Sequence, residues 1–272
     1  MLINYNIILM SLGPIEATIF GFAFIFLSTT LGAGLVLFVK KKLSDNFNRV
    51  FLGFAAGVMI AAAVWSLLIP SMEDASNLGI TSWLPATVGF IIGALFLLLV
   101  DRLLPHLHIN EDKPEGLKTK LNKTTMLVFA IALHNAPEGL AVGLAFGYAL
   151  KTGDPLLLSS ALGLAIGIGL QNFPEGAAVS IPLKESGVST KKAFFLGSLS
   201  AFVEPVFAAL GLFLASQLSS IMPWFLGFAA GAMIYVVVEE LIPEAQLDSH
   251  NHLGTFSFIA GFILMMILDG AL

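Results

Sequence analysis

Leu127-Val-Phe-Ala-Ile-Ala-Leu-His134-Asn135-Ala-Pro137-Glu138-Gly139 and Leu164-Ala-Ile-Gly-Ile-Gly-Leu-Gln171-Asn172-Phe-Pro174-Glu175-Gly176 are two apolar runs that end in the same kind of polar hexamer. Each lies inside a longer hydrophobic stretch, residues 124–149 and 156–180, and a helix needs about 20 apolar residues to cross a hydrocarbon layer. Apolarity here is continuous. A barrel strand would instead alternate over about ten residues, so the stretches read as transmembrane helices. On a helix, His134 and Glu138 lie four residues apart and Asn135 and Glu138 three apart, which puts all three on one face. Gln171, Asn172 and Glu175 repeat that geometry.

Six further stretches reach spanning length, at about 16–39, 50–70, 82–103, 192–217, 221–241 and 254–271. The expected fold is therefore an all-α integral membrane protein of eight transmembrane helices. Composition agrees: 57% of the 272 residues are hydrophobic and 11% charged, far more apolar than a soluble domain of this size. Met1 to Gly13 has neither a basic n-region nor a small-residue cleavage site, so the first span is expected to stay in place. The whole chain, residues 1–272, is expected to form a single transmembrane domain with a loop at about 104–123 between the third and fourth spans.

The basic residues give the orientation. Twelve of the 13 Lys and Arg side chains follow the first, third and fifth spans: Lys40, Lys41, Lys42, Arg49, Arg102, Lys113, Lys118, Lys120, Lys123, Lys184, Lys191 and Lys192. Short cytoplasmic loops collect Lys and Arg, so both termini are expected outside, in a multi-pass protein of the cell membrane. Those residues form short clusters and no long basic stripe, which argues against nucleic acid as a partner. With no cysteine there is no disulfide, no thiolate ligand and no thiol nucleophile.

A second repeat accompanies the first. Gly53-Phe-Ala-Ala-Gly-Val-Met59 recurs as Gly227-Phe-Ala-Ala-Gly-Ala-Met233, each copy leading to Leu-Ile-Pro, at Pro70 and Pro243, with the second copy one residue shorter. Spans one to three and six to eight then form an inverted repeat around a central pair, four and five, in a 3+2+3 arrangement. Inverted repeats around a mid-membrane site are a recurrent construction of secondary transporters. Small residues in the glycine repeat also let membrane helices approach closely.

Glu204, in Leu-Ser-Ala-Phe-Val-Glu204-Pro205 of the sixth span, joins Glu138 and Glu175 as a third intramembrane carboxylate. Three such charges at helix centres would cost roughly 8–10 kcal/mol unpaired. No Lys or Arg lies nearby in sequence, so either protons or a cation neutralise them, and a divalent ion suits a set of histidine, amide and carboxylate donors. Pro137 and Pro174 each remove a helical N–H, leaving the carbonyls of Leu133 and Leu170 without their usual partners, and Gly139 and Gly176 are expected to loosen the same turns. A polar helix–helix contact is the alternative meaning of any one of these residues, but it does not account for a duplicated hexamer with a further glutamate.

At these residues the sequence resembles the ZIP family (Zrt/Irt-like metal transporters), in particular its GufA-like branch, over essentially the whole chain. The resemblance implies import of zinc or a related divalent ion toward the cytoplasm and metal ligands at His134, Asn135, Glu138, Gln171, Asn172, Glu175 and Glu204, with Met59 as a thioether donor. It also implies up to two adjacent metals bridged by glutamates. Gln171 stands where many members have histidine and Asn172 where some have an acid. Neutral amides bind metals more weakly, and three glutamates supply −3 against +4, so the second ion is expected to be weakly held.

Secondary candidates are an exit route at Glu239 and Glu240, continuing to Glu244, Asp248, His250 and His252; a loop with His106, His108, Glu111 and Asp112; Glu73 and Asp74 at the outer end of the second span; and Asp269 late in the eighth. A solvated helix end explains the Glu239 segment equally well, an ordinary polar loop explains the histidine loop better, and Glu73 and Asp74 are also read as solubilising. No prosthetic group is expected; zinc, or else Fe2+, Mn2+ or Cd2+, is the substrate that the resemblance implies. The other partners are the lipid bilayer and, as one assembly open to the chain, a second copy in a homodimer. A Walker A loop is absent, which excludes ATP hydrolysis by this chain. An intramembrane metalloenzyme would also bury His and Glu, yet His-Glu-x-x-His and Gly-x-Ser-x-Gly are both missing.

Overall fold

The structure, a computed structural model, describes residues 13–39, 44–104, 116–117, 123–245 and 252–271. Among them there is no β-strand, and eight helical rods follow one another. We number them α1 (Pro14–Gly34, prolonged by a 3-10 turn, Leu35–Leu37), α2 (Asp45–Ala62, Ala63–Leu68 and Ile69–Asn77 in one continuous rod), α3 (Trp83–Leu103) and α4 (Lys123–Thr152). The others are α5 (Pro155–Glu185), α6 (Thr190–Ala201 and Val203–Gln217), α7 (Met222–Val236, Val237–Leu241 and Ile242–Glu244) and α8 (Leu253–Ala271). Among the described residues seven rods, all but α4, are long and apolar enough to cross a membrane. The chain is an all-α, multi-pass integral membrane protein. The predicted loop histidines His106 and His108, with Glu111, Asp112, Asp248 and His250, fall outside the described residues, and His252 lies just before α8.

Two boundaries differ from the sequence reading for one reason. The second span was expected to end at Pro70, but α2 passes through Pro70 and runs on to Asn77. It does so by widening into a π-helical turn, Ala63–Leu68, immediately before Ile69-Pro70. A π turn accommodates one extra residue in a helix. The repeat copy in α7 makes the same turn, Val237–Leu241, before Ile242-Pro243. It has five residues where α2 has six, and that is where the second copy's missing residue falls.

Close packing divides the rods into two groups. The tightest pairs are α4 with α6 and α1 with α5 in one group, and α2 with α8 and α3 with α7 in the other. Glycines make these approaches. A Cβ at Gly53 or Gly57 would overlap the backbone of α8 at Gly254 or Phe258, and one at Gly227 or Gly231 the backbone of α3 at Ala86 or Phe90. In the other group, Gly143 meets Ala208 and Gly32 meets Phe173, again backbone to backbone. Gly167 of α5, which faces α8 and α2 across the seam between the groups, has side-chain atoms of Met265 and Val58 as its nearest neighbours. Small-residue packing of this kind holds membrane helices without help from water.

The packing also exposes a third repeat. Phe90-Ile-Ile-Gly93, ending at Asp101 on α3, recurs as Phe258-Ile-Ala-Gly261, ending at Asp269 on α8. Gly93 meets Phe228 of α7 and Gly261 meets Phe54 of α2, so α3 on α7 and α8 on α2 are equivalent contacts.

Candidate metal centre

The site is assembled by α4, α5, α6 and α1. Both proline-containing rods run unbroken through their signature, with Pro137 and Pro174 inside α4 and α5. The interruption comes one rod later. Pro205 has no N–H to offer the carbonyl of Ala201, and α6 turns at Phe202 before resuming at Val203. Glu204 therefore sits in the first turn of the resumed helix, where the macrodipole favours a carboxylate.

Gly139 and Gly176 do something other than loosen the helix. A Cβ at Gly139 would overlap the carbonyl oxygen of Glu204, and a Cβ at Gly176 would overlap that of Thr29. The signature glycines thus bring the backbone of a neighbouring rod against the polar hexamer, and Thr29 on α1 occupies for α5 the place Glu204 occupies for α4.

Five of the expected ligands converge. The Glu138 carboxylate accepts from Gln171 Nε2 at 2.7 Å, and the same amide donates to Asn172 Oδ1 at 2.6 Å. Asn172 Nδ2 donates to Glu204 Oε2 at 2.8 Å, and Asn135 Nδ2 to Glu204 Oε1 at 3.0 Å. Thr29 Oγ1 adds a further donor to Glu204 Oε1 at 2.8 Å. Glu138, Gln171, Asn172 and Glu204 are all 0% exposed. With the amide nitrogens committed to carboxylates, Asn135 Oδ1 and Gln171 Oε1 are buried acceptors with no hydrogen-bond partner among the described residues. A buried acceptor left unsatisfied costs about 1–3 kcal/mol. No Lys or Arg appears among the buried residues described. The arrangement is a cage of oxygen donors, two of them ionisable, which is the chemistry of a cation site.

The remaining candidates are placed as follows. Glu175 is half-buried one turn further along α5. The side chain of His134 lies outside the description, and among the described residues no three His, Asp or Glu side chains converge as a metal cluster. Met59 is fully buried in the main apolar core, on α2, across the seam from α4 and α5. On the π turn of α7, Glu240 is buried while Glu239 is exposed. Asp74 accepts a hydrogen bond from Tyr148 Oη at 2.6 Å, and Asp269 accepts from Ser66 Oγ at 2.8 Å and Ser160 Oγ at 3.3 Å. Thr29, Tyr148 and Ser160 escaped the sequence reading, since a single hydroxyl in an apolar run carries no charge to mark it.

A polytopic bundle that buries carboxylates among amide oxygens is a membrane protein with a polar, acidic interior. Comparison with known proteins places it. The family profile described as "ZIP Zinc transporter" matches residues 108–269. Zinc transporter ZIP11 of Homo sapiens is 36% identical over 319 aligned positions, covering 89% of this chain and 93% of the human protein. Zinc transporter GufA of Myxococcus xanthus is 36% identical, over 90% of this chain and 94% of its own length, and zinc transporter ZIPB of Bordetella bronchiseptica is 35% identical, over 91% and 78%. The chain belongs to the ZIP zinc transporter family, a family of transporters rather than enzymes.

Proposed function

We propose that the chain carries Zn2+ toward the cytoplasm by alternating access, through eight spans with both termini outside, and that Asn135, Glu138, Gln171, Asn172, Glu175 and Glu204 receive the ion together with His134. The observation that carries this reading is the pair of buried, unpartnered carbonyl oxygens, Asn135 Oδ1 and Gln171 Oε1, beside two fully buried carboxylates. An ion entering this cage takes those oxygens directly and releases Asn135 and Asn172 from Glu204, so the hydrogen bonds act as place-holders for the metal. The relatives named zinc transporters support zinc as the cargo.

The division of the rods supports the mechanism. All donors except Met59 belong to the group α1, α4, α5 and α6, whose members approach backbone to backbone at Gly32, Gly139, Gly143 and Gly176, whereas Gly167, facing the other group, meets side chains. Rigid-body motion of one helix group against the other is how alternating access is achieved in folds of this kind. Glu240 and Glu239 receive the ion on its way out, and Met59 meets it from across the seam.

The test is zinc flux into proteoliposomes holding the purified chain, with Fe2+, Mn2+ and Cd2+ as competitors. Saturable uptake that Glu138→Ala and Glu175→Ala abolish is expected. Intact, folded protein that neither binds nor accumulates any of these ions would sink the proposal.

A further inference from the structure

Two side-chain hydrogen bonds between described residues join the two helix groups: Tyr148 Oη of α4 to Asp74 of α2, at 2.6 Å, and Ser160 Oγ of α5 to Asp269 of α8, at 3.3 Å. Tyr148 and Asp74 lie in the last turns of their helices, Asp269 at the end of α8, and Ser160 in the second turn of α5. All four therefore gather at one face, that of the α2–α3 and α4–α5 connections. In the orientation proposed above this is the outer face. Both acceptors are carboxylates on the scaffold group and both donors are hydroxyls on the site-bearing group, so the two bonds have the same polarity across the seam.

The third repeat supplies an internal comparison. Asp101 is the counterpart of Asp269 at the opposite face, and it too accepts a hydroxyl, from Tyr235 Oη at 3.2 Å. That donor lies on α7, in the same group as Asp101, so the bond does not cross the seam. The Tyr235 bond holds Asp101 within its own group, while Asp269 also reaches across to the other one. Asp74 is 8% exposed, with Oδ2 buried and lacking a hydrogen-bond partner, so the Tyr148 phenol is its described partner on the site-bearing group.

We propose that Tyr148 and Ser160 are gating residues: with Asp74 and Asp269 they form a clasp that holds the outer mouth shut, and the transporter opens outward by breaking both bonds. Both donors are positioning residues; neither belongs to the cage around Glu138 and Glu204. This inference rests on the reading that the two groups move against each other, and the experiment separates the two.

The chain has no cysteine, so Leu78→Cys at the end of α2 and Leu156→Cys at the start of α5, both exposed, can carry the only two spin labels. Electron–electron distance measurements in lipid nanodiscs then read the width of the outer mouth, with and without zinc. Tyr148→Phe and Ser160→Ala should each raise the ratio of wide to narrow distances by about tenfold, as expected for loss of one hydrogen bond to a charged acceptor. Tyr235→Phe should leave the distribution where it is. If zinc shifts the distances in the parent protein but neither donor variant does, the clasp is wrong and group motion stands. If no variant and no zinc concentration alters the distances while flux continues, the motion itself is wrong. Ser160→Ala removes a single surface-side hydroxyl and keeps the test alive should Tyr148→Phe fail to fold.

Discussion

Gly139→Ala should disable zinc uptake although it adds one methyl group and replaces no ligand. The new Cβ would overlap the carbonyl oxygen of Glu204 and stand 2.8 Å from its Cα and 2.9 Å from its carbonyl carbon. Nothing flexible is in the way: all three atoms are backbone, so α6 must recede from α4. Overpacking of this kind costs about 1–3 kcal/mol. Glu204 is also tied to α4 by Asn135 Nδ2 at 3.0 Å and to α5 by Asn172 Nδ2 at 2.8 Å, and recession stretches both bonds. If the whole cost falls on the cage, apparent zinc affinity drops by roughly fivefold to 150-fold, at about 1.4 kcal/mol per factor of ten. The assay is zinc uptake into proteoliposomes as a function of zinc concentration, beside thermal unfolding in detergent. Gly270→Ala is the control, because a Cβ there meets nothing within 4 Å. Unchanged half-saturation in a Gly139→Ala protein of parental stability would refute the claim that this glycine sets the position of Glu204.

Other outcomes follow from the same cage. Glu204→Gln keeps the shape but removes a charge and places an NH2 among the donors Thr29, Asn135 and Asn172; zinc uptake should fall at least tenfold while the melting temperature holds or rises, since an intramembrane charge costs about 2.5–3.5 kcal/mol. Gln171→His replaces the amide with an imidazole and should tighten zinc binding, measured by calorimetry on the purified protein; unchanged binding would place residue 171 outside the coordination sphere. Because carboxylates and histidine bind metal in their deprotonated forms, uptake should decline from about pH 8 to about pH 5, and a flat profile would show that protonation of the cage does not limit transport.

Much of this was written plainly in the chain. Continuous apolar runs declare helices in lipid, and the duplicated hexamers mark where the helices turn polar, because charges in lipid are too costly to be accidental. What escaped were features that depend on a neighbour. Gly139 and Gly176 read as flexibility from sequence, since nothing in one helix tells which other helix will press against it. Thr29 is one hydroxyl in an apolar stretch until α1 packs on α5 and places it beside Glu204. The Phe-Ile-x-Gly…Asp repeat of α3 and α8 is short and embedded in ordinary hydrophobic residues; the matching contacts of Gly93 and Gly261 make it visible. The π turns of α2 and α7 were foreshadowed by the unequal lengths of the glycine repeat, but a one-residue difference does not say whether it will be absorbed by a loop or by a helix.

A duplicated scaffold need not be a duplicated receptor. Where strict twofold likeness would put a second acid on α1, opposite Glu204, this chain has Thr29, so of that pair only α6 carries an ionisable group. In the site proposed above, a guest ion would then sit off the pseudo-dyad. A lopsided seat of that kind gives the two faces of the membrane unequal views of the cargo, a difference that a mirror-equal pair of acids would have erased.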